Sequence, residues 1–192
     1  MNLYLLNTDV NQYAGIRCDD PDDVESNYVF DSYYASDSLI KSWQPPHAIR
    51  IAYDWMKEAD FLGSFDHANS PVMNERAWAV LKPLIGYCCE ALPIIHPNGL
   101  QYFIIHVMEE IDALDEERSE STRNDVTGRV NQILKYALKE DLIQGKHIFR
   151  LPLESGSDLL LSEEFRKTVE SNNLKGLIFE PIPMVNDENW GD

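Results

Sequence analysis

LQYFIIHVMEEIDALDEERS, residues 100–119, changes character in the middle. Tyr102 to Met108 is the longest block of strand formers in the chain, aromatic and β-branched enough for a central strand and too short to span a membrane. Glu109, Glu110, Asp112, Asp115, Glu116 and Glu117 follow at once, relieved only by Ile111, Ala113, Leu114 and Arg118. A buried strand is therefore expected to deliver a cluster of carboxylates to the surface.

Upstream, Tyr87 to Ile95 reads as a strand and Pro97-Asn98-Gly99 as a turn, so that Leu100 onward becomes the second arm of an antiparallel hairpin. A helix is expected before it. Ser70 can cap, Pro71 suits the first helical position, Met73, Ala77, Leu81 and Leu84 form an apolar stripe, and Pro83 should end or kink the element. Asp60 to Ser64 reads as a short strand or turn and Ala48 to Tyr53 as a strand. Trp43-Gln44-Pro45-Pro46 is an extended connector, because each proline holds its predecessor out of the α region. Aromatic residues at 28–34 suggest another strand, Asn7 to Glu25 a polar loop containing Asp19-Asp20-Pro21-Asp22-Asp23, and Leu3 to Leu6 an opening strand.

Downstream, the polar run from Ser119 to Gly128 reads as a loop. Val130 to Ile143 fits a helix through Ile133, Leu134, Ala137, Leu138 and Leu142, and a strand through Leu134, Tyr136 and Leu138; periodicity does not decide. His147 to Leu151 and Asp158 to Leu161 are strands. Ser162 caps a last helix with Glu163 and Glu164 in its first turn and Phe165 and Val169 facing inward; Ile178 to Pro181 is the final strand, and residues 182–192 are an acidic tail containing Trp190. Strands outnumber helices. The expectation is an α+β fold, a largely antiparallel sheet with two helices packed on it, in one domain over residues 1–192.

The 192 residues hold 16 Lys and Arg against 33 Asp and Glu, a net charge of -17. Nucleic acid and anionic membrane surfaces would repel such a chain, whereas a basic partner would complement it. No secretion signal is read at Met1 to Asn7, so a cytoplasmic location is expected. Cys18, Cys88 and Cys89 lack metal spacing and read as reduced structural thiols, the adjacent pair pointing to opposite faces if both lie on a strand.

No nucleophile elbow, phosphate loop or H-E-x-x-H motif is present, and the five histidines are scattered, so neither catalytic residues nor a metal or other cofactor is expected. His106-x-x-Glu109 with Asp112 lacks ligand spacing, since a regular strand sends His106 and Glu109 to opposite sides. Asp112 and Asp115, with Ser119, have a structural use: side chains at a strand exit bond to following backbone N–H groups and fix the turn. His147 and Arg150 also face opposite sides of a strand, one sheltered and hydrogen-bonded, the other meeting solvent or a carboxylate.

Trp43 to Pro46, Asp60-Phe61-Leu62-Gly63, Asp112-Ala113-Leu114-Asp115 with Ser119, His147-Ile148-Phe149-Arg150-Leu151, Ser162-Glu163-Glu164-Phe165 and Gly176-Leu177-Ile178-Phe179-Glu180-Pro181 occur in an order and spacing that together resemble one family. It is an immunity protein family of bacterial polymorphic toxin systems, first grouped as a domain of unknown function. The likeness runs over residues 43–181; residues 1–42 match loosely, and the family pattern is not found across Asn124 to Gln144, so partner specificity is expected in either place.

The resemblance implies a non-enzymatic protein that binds and neutralises a cognate toxin, with nucleases frequent among such toxins. Its partner surface is expected at Glu109, Glu110, Glu116 and Glu117, helped by Asp19, Asp20, Asp22 and Asp23. Asp112, Asp115, Ser119, His147 and Arg150 are expected to hold the structure. The alternatives from other classes are a metal-dependent enzyme and a scaffold protein that homo-oligomerises through a sheet edge.

Overall fold

Antiparallel pairing dominates the computed structural model, which describes residues 2–18, 37–64, 71–153 and 159–185. In chain order, the first half contains β1 (Leu3–Thr8), β2 (Gly15–Cys18), β3 (Ala48–Ile51), β4 (Phe61–Ser64), β5 (Val72–Asn74), α1 (Glu75–Ile85), β6 (Cys89–Ile95) and β7 (Gln101–Val107). The second contains β8 (Glu120–Arg123), β9 (Val130–Lys135), α2 (Glu140–Ile143), β10 (Ile148–Phe149), β11 (Leu160–Ser162), α3 (Glu163–Ser171) and β12 (Leu177–Pro181). The class is α+β, and its strands divide into a six-stranded sheet β3-β2-β4-β5-β7-β6, a four-stranded sheet β10-β11-β1-β12 and the hairpin β8-β9. One pairing between these strands, β2 with β4, is parallel.

The expected hairpin is β6-β7, in register from Cys89 opposite Val107 to Ile95 opposite Gln101. Its turn is closed by Gly99 N–H donating to His96 O at 3.0 Å, and Gly99 supplies the positive φ of 75°. Successive β7 side chains serve different cores. Ile105 and Val107 pack with Phe61, Met73, Leu81, Ile85, Leu161 and Phe165 under α1 and α3, whereas Tyr102 and Ile104 pack with Ile16, Leu62, Val72, Leu92 and Ile94. A third core gathers Leu3, Ala113, Leu114, Tyr136, Leu138, Phe149 and Leu160 beyond the end of the strand.

Three local readings are corrected. Helix α1 starts at Glu75, capped by Asn74 Oδ1 accepting from Ala77 N–H at 2.9 Å, because Val72 and Met73 are taken into the sheet between β4 and β7. Ser70 lies outside the described residues. Within the expected loop 7–25, Gly15–Cys18 is a strand, bonded to residues 48–51 on one side and 63–64 on the other. The expected loop after Ser119 is an arm of the β8-β9 hairpin, and Val130 to Ile143 divides into a strand and a single helical turn. The aromatic segment 28–34 and most of the tail lie outside the described residues.

The Asp60 carboxylate, on a residue only 7% exposed, joins the start of α1 to the segment between α3 and β12. It accepts from Arg76 Nη1 at 2.9 Å, Asn74 Nδ2 at 3.1 Å and the backbone N–H of Lys175 at 2.9 Å. Phe61 N–H donates to Lys175 O at 2.9 Å beside it, and Gly176 follows at φ 109°, where an added Cβ would stand 2.2 Å from Phe61 O. Only glycine fits there. Asp60→Ala is expected to cost about 1–3 kcal/mol by removing the acceptor that ties these donors together, and Gly176→Ala about 3 kcal/mol by strain, as read from urea unfolding.

Ser162 Oγ accepts from Phe165 N–H at 3.1 Å and caps α3 as expected. Glu163 beside it accepts from Tyr4 Oη at 2.6 Å and from Arg166 at 2.7 and 3.0 Å, pinning α3 to β1. The Arg166 guanidinium, followed by the Tyr4 hydroxyl, holds its carboxyl down at about 2 against an ordinary 4.5. Because the folded-state value is the lower one, this stabilisation is complete above pH 4.5 and is lost as the pH falls through about 2. In Glu163→Gln the melting temperature is expected to fall less steeply over that interval than in the wild type.

Candidate interaction surface

Beyond β7 the acidic segment is stitched to the chain on two sides. Arg150 N–H donates to Glu109 O at 3.0 Å, Ile111 N–H to Arg150 O at 2.9 Å, Lys139 N–H to Ala113 O at 2.8 Å and Asp115 N–H to Ala137 O at 2.9 Å. Ala113 and Leu114 are buried. The result is a ledge whose backbone is fixed by residues 137, 139 and 150, with Ala113 and Leu114 turned to the core and Glu110, Asp112, Glu116 and Glu117 to solvent.

Arg150 is the clasp. It is 5% exposed, its Nη1 donates to Val107 O at 3.1 Å, and its backbone bonds on both sides of Glu110. His147, half-buried on the same stretch, shares a 3.0 Å hydrogen bond between Nδ1 and Ser162 Oγ and lies 3.9 Å from the Glu164 carboxylate.

The ledge ends in a turn organised by Asp115 and Ser119. Asp115 Oδ1 accepts from Arg118 N–H at 3.3 Å, and Asp115 O accepts from Ser119 N–H at 2.9 Å. Ser119 Oγ accepts from Ala137 N–H at 3.0 Å and donates to Ala137 O at 3.2 Å. Asp112 takes part through its carbonyl, which accepts weakly from Lys139 Nζ at 3.4 Å, and its side chain is exposed.

Basic side chains interleave with the carboxylates. Glu109 is half-buried, bonded to Lys146 Nζ and to the Tyr87 hydroxyl at 3.2 Å, with Lys146 over the Tyr87 ring at 5.7 Å. Burial, with Cys88 and Glu109 adjacent, pushes the Tyr87 phenol well above its usual range. Glu116 pairs with Arg123 across to the β8-β9 hairpin at 2.9 Å. Glu110, Asp112 and Glu117 are exposed and have no ion pair among the described residues. Glu140 and Asp141 extend the exposed acidic surface, carried there by Lys139; nothing local in the sequence places them beside Ala113. Asp19, Asp20, Asp22 and Asp23 lie outside the described residues.

The adjacent cysteines sit differently from their sequence reading. Cys88 ends the turn after α1 and Cys89 begins β6, so the sulfurs converge to 3.8 Å instead of facing apart. The bond to Cys88 and burial push the Cys89 thiol up. His106 is fully buried, its Nε2 3.0 Å from Asp37 O, and desolvation lowers its pKa. Among the described residues no three or more His, Cys, Asp and Glu side chains come together to hold a metal ion, and no helix is long and apolar enough to cross a membrane.

Ser119→Ala removes both bonds to Ala137 and is expected to cost about 1–2 kcal/mol in urea unfolding. The same substitution should speed amide exchange at Ala137 and Ser119 before that of β6 and β7.

No curated protein matches the chain. The clasp at Arg150, the turn at Asp115 and Ser119, the Ser162 cap and Gly176 all lie within one span, residues 96–183, and over that span the chain matches the model of the Immunity protein family (Imm11).

Proposed function

We propose that this chain is an immunity protein of a polymorphic toxin system. It neutralises one cytosol-acting toxin by stoichiometric contact and without turnover, and it works in the cytoplasm. The toxin is basic, in the manner of a nuclease. The family match over residues 96–183 carries the reading. The net charge of -17 supports a basic partner, since a field of that sign raises the encounter rate with cationic proteins.

The ledge supports the place of contact. Its backbone is fixed before any partner arrives, which lowers the ordering cost of binding. The carboxylates available to steer a basic surface are Glu110, Asp112 and Glu117, with Glu116 released from Arg123 where the partner replaces that ion pair, and Glu140 and Asp141 alongside. Glu109, held by Lys146 and Tyr87, serves the ledge itself.

The test is binding to the toxin domain encoded beside this chain's gene, by association kinetics at low and high salt. Glu110→Lys with Glu117→Lys is expected to leave the melting temperature nearly unchanged and to slow association about tenfold at low salt, with added salt slowing the wild type in the same way. An association rate indifferent to both changes would remove the ledge from the interface. Co-expression should protect cells against this toxin domain and not against unrelated ones.

A further inference from the structure

Between β3 and β4, Tyr53 and Trp55 lie in the solvent, 64% and 67% exposed. Their rings stack on one another at 4.7 Å between centroids and 5° between planes. Each ring therefore covers one face of the other and presents its second face outward. An exposed aromatic pair loses hydrophobic stabilisation that burial would supply, and the fold does not require it.

The turn that carries the rings is anchored. Met56 N–H donates to Tyr53 O at 3.0 Å, and Tyr53 N–H points to Met56 Sδ at 3.4 Å. One end of the turn leaves β3, which is paired with β2; the other is tied by Lys57 N–H to Gln12 O at 3.1 Å and by Ala14 N–H to Lys57 O at 2.9 Å. Rigid aromatic groups on a fixed turn are the kind of side chain that dominates protein interfaces, because they bring large area with few rotors to immobilise.

We propose that the Tyr53-Trp55 stack is the anchor of the toxin interface and seats an arginine side chain of that partner. This rests on the reading of the chain as an immunity protein. The occupant follows from charge complementarity: outward π faces attract cations, and the chain as a whole carries -17. Arg50 does not compete for that place, being held by Glu58 at 2.6 Å. A guanidinium fits better than an ammonium, since it is planar, weakly hydrated and stacks on rings. Arg50, Asp54, Lys57 and Glu58 balance in charge, so the seat acts after encounter and slows dissociation. It lies outside residues 96–183, the span that the family model matches.

The experiment measures association and dissociation of the toxin domain encoded beside this chain's gene, for wild type, Trp55→Ala, Tyr53→Ala, Trp55→Phe and Trp55→Arg. Trp55→Ala is expected to weaken binding about thirtyfold or more, almost entirely through faster dissociation and equally at low and high salt. Trp55→Phe should recover most of the affinity, and Trp55→Arg should bind worst. Binding by Trp55→Ala within about twofold of wild type overturns the anchor while leaving the immunity reading intact. A wild type that does not bind the toxin domain at all overturns both. Light scattering of the isolated chain distinguishes the other occupant: a dimer that Trp55→Ala makes monomeric assigns the rings to a second copy and overturns the proposal.

Discussion

One buried carboxylate, that of Asp60, holds the two halves of the molecule in register. Removing a carboxylate from water is unfavourable unless its lone pairs are filled, and here they are filled from two places far apart in sequence: the start of α1, through the cap residue Asn74 and Arg76 in the first turn, and the backbone at Lys175. The same few residues bring Phe61 against Lys175 and leave no room for a side chain at Gly176. The start of β4, inside the six-stranded sheet, is thereby fixed to the start of β12 in the four-stranded one. With both sheets placed, α1 and α3 close over the core that contains Phe61, Met73, Ile105 and Phe165.

That closure also sets the direction in which β7 leaves the core. Arg150 lies at the point of exit, and its buried guanidinium is bonded to a backbone carbonyl, Val107 O. A charge so placed is tolerated through hydrogen bonds such as this one, and the main chain of the same residue fixes the backbone beside it. Glu109 and Ile111 bond to its main chain, and residues 137 and 139 fasten the other side of the ledge. The acidic surface thus takes its rigidity from main-chain bonds on both of its sides.

Much of this was readable where the information is local. The β6-β7 hairpin follows from alternating apolar residues around Pro97-Asn98-Gly99, and α3 from Ser162 followed by two acidic residues and an inward Phe165 and Val169. Strand β2 was not readable, because Gly15-Ile16-Arg17-Cys18 contains one strongly apolar side chain and owes its conformation to partners at 48–51 and 63–64. Strand β5 has three residues, and pairing on both sides outweighs the helix-start signal that surrounds it. The polar hairpin β8-β9 is held by cross-strand hydrogen bonds and by Glu120–Lys135 and Glu116–Arg123 contacts, which leave no apolar period to read. At the ledge, Asp115 and Ser119 could be assigned to the turn from their chemistry, whereas the pairing of Glu109 with Lys146 depends on contacts across 37 positions of the chain.

On the proposed reading of the chain as an immunity protein, the ledge and the aromatic turn would do separate work, because their forces decay differently. Coulombic attraction between exposed groups is felt out to about the Debye length, near 8 Å at physiological salt, so the acidic surface acts on a partner still separated by water. Its own cations moderate it: with Glu109 on Lys146 and Glu116 on Arg123, the local field is weaker than the run of carboxylates in the sequence suggests. Long-range pull on a basic partner would therefore come from the whole chain at -17, and the ledge would contribute orientation. Contact between a ring face and a guanidinium works only once water has left, within about 6 Å of the ring, and salt screens it little. A protein that must capture a toxin quickly and then keep it gains from having both, because the first sets the rate of capture and the second the lifetime of the complex.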